Sequence, residues 1–303
     1  PMKNLIKDKG ASTCYLSDIR RQNDEELLSA VKASVKGSTI ETFKTLEKRD
    51  CYHEISKKKD RLESIKKEAV KLKLDDYTIK KSDGSMNLKQ LVIVSTNADR
   101  KKLNQMIRDE YVKRGELKEG NEYLIKVQEG KNVKTEKAKF AVNDRIIFKA
   151  NDKKLKVMNG SLGQITRIDD KKFTVVLDSG ETKQFYIDSY NAIQHAYAVT
   201  AYASQGMSVD KAICDMSTKD AVQDRNALYV DISRAKYDAI VFTDNKKELE
   251  AQTKEFCDKV TSKEFAERIA KLQNGYKITN NDMYKAPTKK SYEAENVAQE
   301  KAI

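Results

Sequence analysis

The sequence predicts an α/β fold: a parallel-sheet lobe with an inserted small antiparallel β-barrel and flanking helices. Three observations predict it. Leu91 to Val94 form an apolar, β-branched run, which suits a strand buried on both faces. A polar turn, Ser95-Thr96-Asn97, and a helical stripe of Leu103, Met106, Ile107 and Tyr111 follow it, giving the strand-loop-helix unit of a parallel sheet. Residues 122–190 instead show short alternating strands split by turn signals, before the first pattern returns.

Residues 1–121 are the first part of the lobe, with a helical insertion at about 23–76. Its stripes are Leu27, Leu28, Val31 and Val35, then Ile65, Ala69, Val70 and Leu72, in two or three helices broken near Gly37. The barrel segment, 122–190, reads as about five strands within "AVNDRIIFKAN", "VMNGSLGQITRI" and "KKFTVVLDSGETKQFYI". Asn159-Gly160 and Ser179-Gly180 are its hairpin candidates. Residues 191–245 complete the lobe. "AYAVTAYASQG" is a strand and turn, "KAICDMS" a strand, "RNALYVDISRAK" a helix and turn, and "YDAIVFTD" the last strand. Residues 246–303 form a charged tail, helical to about Leu272 and weakly ordered beyond.

The chain has 303 residues and a net charge of +12. That balance points to nucleic acid, an anionic membrane surface or an acidic protein as partner, and equally to a Lys-rich genome. Lys149, Lys153, Lys154, Lys156 and Arg167 give the barrel cationic loops, suited to single-stranded DNA or simply to solubility. Cys14, Cys51, Cys214 and Cys257 have no metal-binding spacing and fit a reduced, cytoplasmic setting. His53 and His195 are far apart in sequence, so no metal site is expected. No apolar run reaches membrane-spanning length, and no membrane insertion is expected. The phosphate loop GxxxxGK[ST] is absent.

"YAVTAYASQGMSVDKAI" and "ALYVDISRAKYDAIVFTDN" resemble motifs V and VI of the RecD-like branch of superfamily 1 helicases. The flavour is that of conjugative relaxase-helicases of the TraI, TrwC and TraA type. "LSDIRRQ" resembles motif IV, "VSTNADRKKLNQMIR" the segment after it, and "NDRIIFKANDKKLKVMNGSLGQI" the SH3-like insertion. The resemblance covers roughly residues 10 to 250.

It implies the second of two RecA-like lobes that clamp ATP. Arg21 and Arg234 stand at the arginines that reach the γ-phosphate, and Gln22, Gln205 and Gly206 at nucleotide-facing positions. It places Thr96, Asn97, Arg100, Thr200, Tyr202 and Ser204 beside single-stranded DNA. Tyr202 and Ala203 depart from the frequent His-Lys of motif V. Tyr202 is open to base stacking or to a place in the core. Arg100, Asn104 and Arg108 share one helix face, and solvent is the simple expectation for Arg108.

With the phosphate loop and the relaxase histidines lacking, the expectation is a chain that binds no ATP or Mg alone and needs an N-terminal helicase lobe, from the same or a separate polypeptide. Its readings are a motor half-site, a non-catalytic module that grips single-stranded DNA and is recognised by type IV secretion components, and a gene remnant.

Overall fold

A computed structural model describes residues 19–129, 132–220 and 223–254. The expected start of motif IV before Ile19, and the tail beyond Lys254, lie outside the described residues. Among those described, no helix is long and apolar enough to cross a membrane.

The main sheet is parallel. Its order is β1 (Tyr52–Glu54), β13 (Ala235–Thr243), β12 (Val209–Asp215), β3 (Met86–Val94), β11 (Ala198–Thr200), with β2 (Thr78–Lys80) antiparallel on β3. Strands β3 and β12 occupy the centre. In β12 the run Ala212 to Asp215 is buried, and Ile213 lies between Val92 and Ile240. Continuous burial, not alternation, is what a parallel strand covered on both faces requires.

Helices α1 (Glu25–Lys36), α2 (Thr39–Lys48), α3 (Lys58–Ala69) and α4 (Asn97–Lys113) precede the insert, and α5 (Arg225–Ile232) and α6 (Lys246–Lys254) follow it. In α1, Leu27 and Val31 are buried as the stripe predicts, while Val35 is exposed. Gly37 ends the helix in the left-handed region at φ 89°, where its N–H and that of Ser38 cap the last carbonyls. The three-residue strand β1 was not expected between helices. It is held by parallel pairing with β13 and by Tyr52, which stacks on Phe43 with ring centroids 4.7 Å apart.

The insert carries more strands than the sequence suggested. A long hairpin, β4 (Asn121–Glu129) and β5 (Asn132–Phe140), accompanies a five-stranded antiparallel sheet. That sheet runs β10 (Ile193–His195), β6 (Arg145–Phe148), β7 (Leu162–Asp169), β8 (Lys172–Leu177), β9 (Thr182–Tyr186). Strand β10 pairs with β6, so antiparallel pairing extends past residue 190. Ser179-Gly180 joins β8 to β9 as predicted. Asn159-Gly160 does not link paired strands directly; it lies in a connection closed by an Asp152–Val157 bridge. Phe148, Ile165, Phe173, Val175 and Ile193 make a core separate from that of the parallel lobe.

One buried ion pair joins insert to lobe, and it corrects the sequence reading. Arg108 is 2% exposed and faces inward, not to solvent. Its Nε donates to both oxygens of Asp144 at 3.1 and 3.2 Å, and its Nη2 donates to Asp144 Oδ2 and to the Glu119 carbonyl. The same carboxylate accepts from Tyr197 Oη at 2.7 Å and the Ala141 N–H at 2.8 Å. One turn earlier, Asn104 accepts from the Tyr197 and Ala198 N–H groups and donates to the Ala198 carbonyl. The Arg100–Asn104–Arg108 face is therefore the seam on which β11 sits. Within the insert, Arg145 pairs with Asp178, bidentate at 2.7 and 2.8 Å, and the Asp178 carbonyl accepts the N–H of Met86 from the lobe.

Breaking a buried pair leaves one charge without a partner, at a cost of about 3–5 kcal/mol. Arg108→Ala is expected to lose stability in that range in denaturant unfolding, and a loss below about 1 kcal/mol would contradict the joint.

Candidate functional site

The sequence-selected residues separate to opposite ends of the parallel sheet. At the amino ends of β12 and β13, the segment after Arg20 runs beside the start of β13, where Asn23 and Asp24 donate N–H groups to the Lys236 carbonyl. Arg21 Nη1 donates to the Ser233 carbonyl at 2.7 Å. Gln22, 7% exposed, donates its amide to the carbonyls of Ser233 and Ala235 at 3.1 and 2.9 Å. Its Oε1 is buried without a partner.

Arg234 follows α5, and its Nε donates to the Val230 carbonyl at 2.9 Å. Burial holds this guanidinium below its ordinary pKa, and the charge of Arg21 lowers it further. The two arginines are thus near enough to repel, and no carboxylate among the described residues ion-pairs with either. An open cleft of about 630 Å³ adjoins Arg21, lined also by Lys81, Lys89, Lys236 and one acid, Asp210.

Asp231 is the neighbour that sequence reasoning missed. It is buried, its Oδ1 has no hydrogen-bond partner, and burial pushes its carboxyl up to about 7, with Arg234 opposing. Three residues before Arg234, on a helix of mixed pattern, it had no distinguishing signal.

The carboxyl ends of the strands hold the second group. Thr96 caps α4, accepting the Asp99 N–H at 3.1 Å, and Asn97 is exposed beside it. Arg100 Nε donates to Asn97 Oδ1 at 3.2 Å. Its guanidinium is lowered by burial, and it lowers Lys149 of the insert in turn, after burial itself. Lys149 therefore joins this group, although sequence reading placed it only among the cationic loops. Arg167, another of those cationic loop residues, is instead paired with Asp169 at 2.7 Å. A separate cavity of about 570 Å³ between α4 and the β4–β5 hairpin carries ion pairs on its lining, Lys101–Glu136, Lys137–Glu122 and Lys139–Glu119.

Residues 201–208 connect the two ends. Thr200 pairs with Val94 and Val209 with Leu88, so the strap returns six positions along β3, roughly 20 Å at strand rise. Ser204 is fully buried and donates to the Ala201 carbonyl at 2.7 Å, while its N–H bonds the Thr200 carbonyl. It holds the strap's turn, and its hydroxyl is engaged inside the strap. Tyr202 is 83% exposed, so it is no core residue. Gln205 and Gly206 are exposed, with Gly206 at φ 81° and open space where a Cβ would stand.

A search of known proteins finds similar chains. A conjugal transfer protein TraA of Rhizobium radiobacter is 26% identical over 226 residues, 73% of this chain and 17% of the relative. A probable conjugal transfer protein TraA of Sinorhizobium fredii is 30% identical over 185 residues, 59% of this chain and 15% of the relative. The chain is homologous to TraA conjugal transfer proteins. This agrees with the resemblance carried by its motifs. It spans about a sixth of the length of these relatives. No protein-family model matches. Among solved structures, a Bacteroides Pif1 helicase in complex with ADP-AlF3 and single-stranded DNA is similar at TM-score 0.49 and 20% identity, over 86% of this chain and 57% of that one. A Candida albicans Pif1 helicase is similar at TM-score 0.47 and 13% identity, over 79% and 58%.

Asp231 gives a pH signature. Its folded pKa lies above the unfolded value near 3.8, so the folded state holds a proton that the unfolded chain releases. Its stabilising contribution is complete below about pH 4 and is lost as pH rises toward 7. Asp231→Asn is expected to remove a slope of up to about 1.4 kcal/mol per pH unit across that window, measured by denaturant unfolding at several pH values. Parallel curves for the two proteins would refute the assignment.

Proposed function

We propose that the chain is the second motor lobe of an ATP-dependent DNA helicase or translocase of conjugative transfer. On this reading Arg21 and Arg234 form one wall of a nucleotide cleft, and a lobe bearing a phosphate loop, on the same or another polypeptide, forms the other. The observation that carries it is the closeness of two guanidiniums, Arg21 held on the Ser233 carbonyl and Arg234 on the Val230 carbonyl, with no carboxylate among the described residues ion-paired to either. Two like charges held together at a cost suit an incoming polyanion, and planar guanidiniums suit phosphate oxygens. The unpartnered Gln22 acceptor fits a polar site awaiting a donor.

ATP with Mg would supply the phosphoryl transfer. The chain's own part is to place Arg234 by its bond to Val230, to place Arg21 and Gln22 on Ser233, and to neutralise charge as the cleft closes. At the opposite edge Thr96, Asn97, Arg100, Thr200 and Lys149 are proposed to follow a single-strand backbone, with Tyr202 offering a face for base stacking. The strap carrying Gln205 and Gly206 links the two edges. The antiparallel insert is read as an SH3-like barrel beside that track. The exposure of Tyr202 equally supports a binding module that grips DNA without hydrolysis, with secretion components as partner.

In a protein that joins this region to a phosphate-loop lobe, Arg234→Ala is expected to lower DNA-stimulated ATP hydrolysis on the order of a thousandfold. Single-strand affinity should change little. An unchanged rate favours the module reading. Fluorescence anisotropy with single-stranded oligonucleotides should show affinity falling with salt, and Arg100→Ala should reduce the logarithmic salt slope by about one. Salt-independent affinity would sink both DNA readings.

A further inference from the structure

A connected set of charges lies beneath the turn at the carboxyl end of β3. Thr96 Oγ1 donates to Asp99 Oδ2 at 2.7 Å and accepts the Asp99 N–H. This much is a reciprocal helix cap. The other oxygen, Asp99 Oδ1, lies 2.9 Å from Lys58 Nζ on the first turn of α3. The same ammonium lies 2.9 Å from Asp220 Oδ1. Asp220 Oδ2 is 3.4 Å from Arg61 Nη2, and Arg61 Nε donates to Asp215 Oδ1 at 2.8 Å at the end of β12. Asp99, Arg61 and Asp215 are each at most 4% exposed.

Two features exceed what a cap needs. First, a nearly buried carboxylate sits under a turn proposed to receive phosphate, where its charge alone opposes an anion. It is retained with its second oxygen committed to Lys58. Secondly, Asp220 belongs to the segment between β12 and α5. That segment is tied again to the same turn by Gln223, whose amide donates to Ser95 Oγ at 2.8 Å and to the Ser217 carbonyl at 3.0 Å. Helix α5 then runs on to Ser233 and Arg234.

We propose that Asp99 and Lys58 are positioning residues for nucleic-acid binding: they fix Thr96 and Asn97 in the attitude that meets a backbone phosphate, and they anchor that turn to the segment leading into the arginine-bearing helix. Neither touches the strand. The inference rests on the single-strand reading above.

The test separates positioning from plain electrostatics. Asp99→Asn removes a negative charge near the strand, so electrostatics alone predicts tighter binding. Positioning predicts weaker binding, by about tenfold for loss of a charge-assisted hydrogen bond. Anisotropy with a labelled single-stranded oligonucleotide is measured for the full chain, Asp99→Asn, Lys58→Met and Lys58→Arg, each checked by thermal unfolding. Lys58 has a 43% exposed side chain, so its variants keep the question open to test if Asp99→Asn fails to fold. The expected results are weaker binding by Asp99→Asn and Lys58→Met, substantial recovery in Lys58→Arg, and an unchanged salt slope throughout. Equal or tighter binding by Asp99→Asn, or a slope reduced by about one in Lys58→Met, which marks a direct phosphate contact, overturns the proposal. Failure of the unaltered chain to bind overturns the single-strand reading itself, and is distinct from binding that is indifferent to these variants.

Discussion

The carboxylate of Asp144 is the point on which the arrangement depends. It is fully buried and accepts from a guanidinium, a phenol and a backbone N–H that belong to three different segments. Such an anion is tolerable only because its lone pairs are answered. His195 lies 3.9 Å away, and burial depresses its pKa, so the junction favours the Arg108–Asp144 pair without adding a second cation. Tyr197 leads directly into β11, and Asn104 clasps its backbone. The position of Thr200, and with it the start of the strap, is therefore inherited from a contact deep between insert and lobe.

From that anchor the parallel sheet separates two chemistries. Its amino edge gathers cations that repel one another, and its carboxyl edge presents a capped helix with exposed polar side chains. Parallel strands make this separation natural, because every strand end of one kind lies on the same side. The strap spans the difference without a helix. Its turn is held by Ser204, whose hydroxyl and N–H are both used internally, while Tyr202 and Gln205 nearby remain exposed.

The parallel strands were legible because a continuous apolar run such as Leu91–Val94 has few other homes. Gly37 and Ser179-Gly180 were legible because turn geometry selects those residues. Strand β1 was not, since three residues carry no period and it is held by distant partners, β13 alongside and Phe43 against Tyr52. Arg108 shows the limit most clearly. A charged residue on a helix reads as solvated unless its counter-charge is known, and Asp144 stands 36 positions away in a segment with a different pattern. The turn-holding bond of Ser204 was illegible for a related reason, because a hydroxyl that locks a turn and one that meets a phosphate look alike in sequence. Arg21 and Arg234 were found through motif resemblance, whereas Asp231 had neither motif nor period to mark it.

The joint and the ion pair inside the insert also bear on how this architecture can be inherited. An excision that rejoined α4 to β11 would remove Asp144 while keeping Arg108 and Tyr197, which would then bury a cation and a hydroxyl with nothing to receive them. Losing Asp178 would do the same to Arg145 if only part of the insert went. Gradual erosion of the insert is thus blocked by Arg108 and Tyr197 at its border and by Arg145 within it. Descendants must keep it nearly whole, or change both sides of the seam together. Residues at 108 and 144, and at 145 and 178, should then travel as pairs through the lineage, independent of whatever the two sheet edges come to bind.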